Sequence, residues 1–115
     1  MSNTTDLIND KNYRINKYFW NIYPNKDSLA KYGYPLITTT PYLNVAQREC
    51  EYWSKYLNDR VYCVGPGVTV KIVESDGNYV HIQTFETTGN DIIDGWILVQ
   101  QTKYWVEGCF TDIQA

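Results

Sequence analysis

The spacing of hydrophobic residues changes once along the chain. Over residues 41–58 apolar side chains recur at steps of three and four, which is the spacing of one helix face. Thr40 is a suitable N-cap, and Pro41 suits the first helical position because its missing N–H is not needed there. We therefore predict a helix over residues 41–58 with one broad buried face. That face consists of Leu43, Ala46, Cys50, Trp53 and Leu57, flanked by Tyr42, Val45, Tyr52 and Tyr56.

From Val61 onward the hydrophobic period is two, which is typical of half-buried strands. Two alternating runs, residues 68–72 and residues 79–83, flank the turn composition of residues 75–78. This pattern predicts a β-hairpin. After a polar loop at residues 86–95, residues 96–99 and 104–110 are predicted to form two more short strands. The turn at residues 65–67 contains Pro66, which lacks an N–H, so we expect a turn and not a phosphate-binding loop.

The first forty residues lack a long regular period. Residues 1–12 are polar and are predicted to form a flexible tail. Residues 13–24 form an aromatic arm, with five aromatic side chains in residues 13–23. Asp27 or Ser28 is expected to cap a single helical turn that ends before Gly33. At 115 residues the chain is long enough for one domain with one core. We expect an α+β domain divided into the tail, an arm-and-helix segment at residues 13–60, and a small antiparallel β-barrel at residues 61–115.

Three runs in the β-rich half resemble a known family: residues 67–73 (GVTVKIV), 77–82 (GNYVHI) and 94–97 (DGWI). Gly-bounded Val-x-Val strands followed by a Gly-Trp-Ile step are similar to the bacterial SH3 family over about residues 61–110. The resemblance implies an SH3-like barrel that binds ligands and has no chemistry of its own. It places Tyr79 and Trp96 at the family's aromatic positions, where Trp96 either closes the core or serves as a ligand platform. The strand at residues 104–110 and the long N-terminal part depart from the family pattern.

Alternation also indicates which side chains share a strand face. Tyr79, His81, Gln83 and Phe85 alternate with the apolar Val80 and Ile82, so they form a semi-polar face. We expect ligand contacts there, with Asp91 and Asp94 in the following loop adding negative charge. Adjacent Ile92 and Ile93 in that loop either anchor it to the core or mark a contact surface.

Charge is unevenly distributed along the chain. The net charge is −3, but residues 61–115 hold two basic and seven acidic side chains, or −5. Such a surface repels a phosphate backbone, so we expect no nucleic-acid partner. It favours a protein partner with a basic surface, or it only solubilises the fold.

The aromatic content exceeds what a small core requires, with eleven Tyr, four Trp and three Phe. We expect an exposed aromatic patch built either from the arm or from the end of the chain, with Trp20 and Tyr23 as contact residues. Self-association as a homodimer is one way to cover such a patch. The patch consists either of Tyr13, Tyr18, Trp20 and Tyr23 or of Tyr104 and Trp105.

The three cysteines, Cys50, Cys63 and Cys109, include no C-x-x-C pair, which argues against a disulfide framework. No signal peptide is recognisable, and the longest wholly apolar run is only residues 96–99, so we expect a cytoplasmic protein without a membrane partner. A different functional class, an enzyme or a metal-binding protein, is also considered. It would use either a Cys–His nucleophilic pair or a zinc site formed by the three cysteines with His81.

These observations favour a non-enzymatic protein-binding module or adaptor without a cofactor. It is expected to act through the acidic barrel face and the aromatic arm. A first alternative is a small inhibitor from a virus or mobile element that blocks a basic site on a host protein. A second alternative is a small Cys/His enzyme or metal-binding protein.

Overall fold

The computed structural model describes residues 6–32, 39–85 and 92–113. These residues form eight strands and three helices in an α+β arrangement. In chain order they are β1 (Asn12–Ile15), β2 (Phe19–Ile22), α1 (Lys26–Tyr32), β3 (Thr39–Thr40), α2 (Leu43–Leu57), β4 (Tyr62–Val64), β5 (Thr69–Asp76), β6 (Tyr79–Phe85), β7 (Ile92–Leu98), α3 (Lys103–Cys109) and β8 (Phe110–Asp112). The strands pair antiparallel in two sheets with the orders β7-β6-β5-β1-β8 and β3-β2-β4.

The predicted hairpin is confirmed at the centre of the five-stranded sheet. Strands β5 and β6 pair in a register that places Ile72 opposite Ile82, with a bulge just after Ile72. Gly77 adopts a positive φ of 61° in the connecting turn, a conformation that glycine tolerates without a steric penalty. The alternating apolar side chains lie on one face and are fully buried: Val70, Ile72, Val80 and Ile82.

The aromatic arm contributes strands to both sheets. Strand β1 lies between β5 and β8, and β2 is the central strand of the smaller sheet. The arm is therefore part of both sheets, and the segment boundary predicted near residue 60 does not divide the fold. Because the chain enters the core twice within residues 12–22, the aromatic side chains of the arm are packed inside it.

The two sheets meet at one junction between β2 and β7. Tyr23 and Trp96 exchange two backbone hydrogen bonds, with N···O distances of 2.9 and 2.8 Å. Gly95 permits this contact, because a Cβ atom there would lie 2.5 Å from Ile22 Cγ2 and from the Tyr23 carbonyl oxygen. Among the described strands neither sheet closes on itself.

The strand predicted at residues 104–110 is wrong over most of its length, because residues 103–109 form α3. Thr102 caps this helix, its side-chain oxygen accepting a hydrogen bond from the Trp105 amide at 3.4 Å. Val106 and Cys109 are buried on one side of the helix, while Tyr104 is exposed. Aromatic enrichment indicated a strand, but the cap and the core contacts favour the helix. The predicted loop at residues 86–95 is also shorter, since β7 begins at Ile92; residues 86–91 lie outside the described residues.

The predicted long helix is confirmed as α2, but its start and its burial differ. It begins at Leu43 after an N-cap at Tyr42, and Asn58 ends it in the left-handed conformation. Of the broad face expected to be buried, only Ala46 and Cys50 are buried. Leu43 and three tyrosines remain exposed, because the helix packs along a narrow stripe. In the part of the chain that the structure describes, no helix has the length and apolar character needed to span a bilayer.

Two predictions for the N-terminal region also require correction. Residues 6–12 are not a detached tail, since the Leu7 side chain is 2% exposed and its amide donates to Gln101 Oε1 at 3.0 Å. The short helix α1 starts earlier than expected. Its capping residue is Asn25, whose side-chain oxygen accepts from the Ser28 amide at 2.8 Å, so neither Asp27 nor Ser28 is the cap.

Candidate functional site

The outer face of β6 and β7 carries the polar residues that strand alternation predicted. His81 is paired with Trp96, and Gln83 with Asp94, in the register of these strands. The His81 Nε2 atom lies 2.6 Å from Asp94 Oδ1, and Gln83 Nε2 donates to Asp94 Oδ2 at 2.8 Å. The structure therefore brings together four of the predicted site residues. Asp91 and the Phe85 side chain lie outside what the structure describes.

The carboxylate of Asp94 is the acceptor at the centre of this group. Partial burial alone would raise the pKa of Asp94, but the hydrogen bonds from His81 and Gln83, together with the His81 charge, lower it below its ordinary value of 3.8. Asp94 is thus held in its charged form by two neighbouring side chains.

Because the folded-state pKa of Asp94 is lowered, its contribution to stability is present above the unfolded pKa and is lost as pH falls through the folded pKa. We expect Asp94→Asn to reduce stability at neutral pH by about 0.2–1 kcal/mol, since the side chain is partly exposed. The variant should also lose less stability than the wild type below about pH 4. Urea denaturation between neutral and acidic pH measures both effects. Gln83→Leu removes one of the two bonds and should give an intermediate profile; identical pH profiles for all three proteins would contradict this account.

The structure supports the core role of Trp96, whereas its role as a ligand platform stays a prediction. Its ring packs with the smaller core cluster, which contains Tyr23, Leu29, Cys50 and Val61. The His81 ring stacks on it at a centroid distance of 5.0 Å and an interplanar angle of 10°. Tyr79 and Leu98 pack against the same cluster. Helix α1 contacts β6 and β7. The end of the face near Tyr79 and Trp96 is therefore covered, whereas the polar end near Gln83 remains accessible.

Two predicted contact residues are instead core residues. Trp20 is 1% exposed and Tyr23 is fully buried. The Trp20 indole donates to the Lys17 carbonyl oxygen at 3.0 Å, and burial, with the nearby Glu49 charge, raises the pKa of Tyr23. The exposed patch expected from the arm is therefore wrong. Of the alternative pair, Tyr104 is exposed, whereas Trp105 packs against the main core.

The acidic side chains of the second half are distributed over several elements, and among the described residues three of them have ion-pair partners. Asp76 forms an ion pair with Lys26, Asp112 pairs with Lys11 at 2.7 Å, and Asp94 contacts His81. Both lysines come from the N-terminal half, so they neutralise part of the −5 charge locally. The described acidic residues of the second half therefore lie on β5, β7, α3 and β8, and part of their charge is balanced locally.

The residues of the Cys/His hypothesis are also divided between different parts of the fold. Cys50 and Cys63 lie together between α2 and β4, whereas Cys109 belongs to the main core cluster. The His81 ring contacts Asp94 and Trp96. Within the described ranges, no group of three or more His, Cys, Asp or Glu side chains is placed to hold a metal ion.

Sequence reasoning missed a cleft between α2 and the sheets, which we call the α2–β4 cleft. Its volume is about 990 Å³, which is within the range of ligand sites in proteins. Residues of α2 form one wall and residues 60–64 form the other, while the floor consists of Val68, Thr84 and Ile93. The α2 wall consists of Gln47, Cys50, Glu51, Ser54 and Lys55. No local pattern indicates this cleft, because its walls come from elements that meet only after folding.

A second missed surface is the outer side of α2, which we call the tyrosine face. Tyr52 and Tyr56 are 58% and 60% exposed. Their rings stack at a centroid distance of 6.3 Å, and both rings contact the edge or face of Trp53 at near-perpendicular angles. This face is the exposed aromatic surface that the composition indicated, at a different position from the one predicted.

Comparison with models of protein families yields no match, and searches among curated proteins and among solved structures likewise yield no significant match. The function is therefore inferred from the geometry of this chain.

Proposed function

We propose that this protein is a non-enzymatic module that binds an extended segment of a partner protein in the α2–β4 cleft. The observation that carries the proposal is the position of β4, which is an edge strand of the described three-stranded sheet and lines the cleft along its whole length. Edge strands bind extended peptides by adding them to the sheet as a further strand.

The hydrogen bonds of Ser54 indicate that the free edge of β4 faces α2. Its hydroxyl accepts from the Val61 amide at 2.8 Å and donates to the Val61 carbonyl oxygen at 3.2 Å. The backbone groups of Val61 therefore point towards α2. Because alternate residues of a strand direct their backbone groups to the same edge, those of Cys63 are expected to point into the cleft as well. They would supply a donor and an acceptor for a bound peptide.

The lining of the cleft indicates the chemistry of the segment. The floor residues Val68 and Ile93 are apolar and suit the side chains of one face of an extended peptide. The rim carries Glu51, Lys55 and Arg60, and the Arg60 guanidinium lies 4.9 Å from the centre of the Tyr62 ring. We therefore expect a peptide with apolar residues at alternating positions. Charged side chains are expected at the positions that flank this apolar segment.

We also propose that the strands of this protein have an SH3-like arrangement. The β5–β6–β7 meander, joined to β2 through Tyr23 and Trp96, supports an SH3-like arrangement of the strands. Adaptor and inhibitor roles both require binding without chemistry, and both are compatible with this cleft. The paired and dispersed acidic residues give less support to a role based on one acidic surface.

Selection from a displayed library of random peptides tests the proposal. We expect enrichment of peptides with alternating apolar residues that bind saturably in fluorescence anisotropy titrations. Gln47→Trp places a large side chain in the cleft and should weaken binding at least about tenfold, or about 1.4 kcal/mol. Arg48→Trp is the matched control: it is the next residue of the same helix, is exposed, lies about 100° further around the axis, and should bind within about twofold of the wild type.

The other outcomes distinguish the competing surfaces. Equal loss in both tryptophan variants, or no enriched peptide, would overturn the cleft proposal. If Tyr56→Ser abolishes binding while Gln47→Trp does not, the tyrosine face is the binding surface instead. Sedimentation velocity on the same proteins detects self-association, which would assign the tyrosine face to a second copy of this chain if Tyr56→Ser removes it.

A further inference from the structure

Two of the three cysteines form an adjacent pair, although they are thirteen positions apart in the sequence. Cys50 lies on α2 and Cys63 on β4; both line the α2–β4 cleft and both belong to the smaller core cluster. The Cys50 thiol donates to Asn21 Oδ1 at 3.1 Å, and Asn21 lies opposite Cys63 in the register of β2 and β4, so both thiols lie beside the same side chain. All three cysteines are free thiols in this structure, and Cys109 lies apart in α3 at 1% exposure. The chain therefore holds a candidate dithiol and an internal reference thiol.

The surroundings give the two thiols different chemical roles. The neighbouring Cys50 thiol lowers the pKa of Cys63, against the opposing effect of burial. The Cys63 thiol beside it, together with burial, raises the pKa of Cys50. Cys63 is also the more exposed of the two. Since the thiolate is the reactive form of cysteine and Cys63 is the more exposed thiol, Cys63 is the better placed of the two to act as a nucleophile, with Cys50 as the proton-bearing partner.

The side chain of Asn21 provides a third component of the group. It is 1% exposed, and it pairs with Cys63 in the register of β2 and β4. Its Oδ1 atom lies 3.1 Å from Cys50 Sγ, and its Nδ2 atom has no hydrogen-bond partner among the described residues. A buried amide N–H without a partner is costly unless another group accepts from it. An oxygen atom added to a neighbouring sulfur would be such an acceptor.

We propose that Cys50 and Cys63 form a redox site at which a hydroperoxide entering the cleft produces a reversible disulfide between α2 and β4. The Cys63 thiolate attacks one peroxide oxygen and the O–O bond breaks, which leaves a sulfenic acid on Cys63 and releases hydroxide, or an alkoxide from an organic hydroperoxide. The Cys50 sulfur then attacks the Cys63 sulfur, the S–O bond breaks, and the Cys50 proton leaves with the hydroxide as water. Two thiols lose two electrons, and hydrogen peroxide is reduced to two molecules of water. This inference does not depend on peptide binding.

Oxidation of the intact folded protein by hydrogen peroxide tests the proposal. The protein is treated with peroxide, the remaining thiols are blocked with N-ethylmaleimide, and the products are identified by intact mass and peptide mapping. Apart from the maleimide carried by Cys109, we expect a mass loss of two hydrogen atoms, a linked Cys50–Cys63 peptide, and no oxidation of Cys109. Before oxidation, Cys63 should react with iodoacetamide at least about tenfold faster than Cys109. Dithiothreitol should restore both thiols.

Three variants separate this pathway from unspecific oxidation. Cys109→Ser should form the disulfide at the wild-type rate. Cys50→Ser should stop at the Cys63 sulfenic acid, which dimedone traps, and Cys63→Ser should leave Cys50 reduced. Oxidation of Cys109 as fast as Cys63, accumulation of sulfinic acid in the wild type without a disulfide, or a disulfide that forms no faster than in urea-unfolded protein would each overturn the proposal. The wild-type measurements alone decide the result if a serine variant fails to fold.

Discussion

Replacing Trp20 with alanine is expected to reduce the free energy of unfolding by about 3–5 kcal/mol, the usual cost of removing a large buried aromatic side chain. Trp20 is 1% exposed in the main core. Its ring contacts Phe110 at a centroid distance of 5.3 Å and Trp105 at 6.3 Å. The substitution removes these contacts and the indole hydrogen bond to Lys17. Chemical denaturation monitored by far-ultraviolet circular dichroism measures the loss.

Two further variants make this result specific to the Trp20 site. Trp20→Phe retains most of the ring volume and should lose clearly less stability than Trp20→Ala. Tyr104→Ala removes an aromatic side chain that is 69% exposed, and it should change stability by less than about 0.5 kcal/mol. A Trp20→Ala protein as stable as the Tyr104→Ala protein would contradict the buried position of Trp20 and restore it as a surface contact residue.

Replacing Gly95 with alanine is the second change with a large expected effect. The added Cβ would lie 2.5 Å from the Tyr23 carbonyl oxygen, closer than Cβ atoms approach other heavy atoms in proteins. That oxygen accepts from the Trp96 amide, so moving it away breaks the junction between the two sheets. We expect a loss of about 1–3 kcal/mol from overpacking, with a further loss if the junction opens. Thermal and urea denaturation measure the change.

Gly108 provides the matched control for this substitution. It lies in α3, and a Cβ atom there would meet nothing within 4 Å. Gly108→Ala should therefore stabilise the protein by about 0.5–1 kcal/mol, because alanine favours the helix. Stability changes of the same sign and size in the two variants would show that the close contact at Gly95 is absent in solution.

The polar face of β6 illustrates what strand alternation predicts and where its information ends. The shared orientation of His81 and Gln83 follows from a period of two, because neighbouring residues of one strand face opposite sides. The contact of both residues with Asp94 additionally requires the register between β6 and β7. The sequence pattern predicted that Asp94 is a site residue but placed it in a loop. Neither its position in β7 nor its contacts with His81 and Gln83 were predicted.

For the aromatic residues the composition was informative, but their positions in the sequence did not indicate which side chains are exposed. A count of aromatic side chains indicates that some remain exposed, and the tyrosine face of α2 is such a surface. Which residues are exposed depends on how many elements surround each strand. Trp20 and Tyr23 are buried because β2 is a central strand of its sheet and continues into the junction with β7, a position that no local pattern of the arm indicates.

The helix α2 and the β5–β6 hairpin follow from the sequence, because their periodicity and their turn residues depend on neighbouring positions along the chain. The insertion of β1 between β5 and β8, the helical state of residues 103–109, and the proximity of Cys50 to Cys63 depend on contacts between distant segments. Such contacts form only when burial of apolar surface in the folded chain outweighs the entropy lost in ordering it. Both the α2–β4 cleft and the dithiol arise from these long-range contacts, and for that reason neither is visible in the order of the residues.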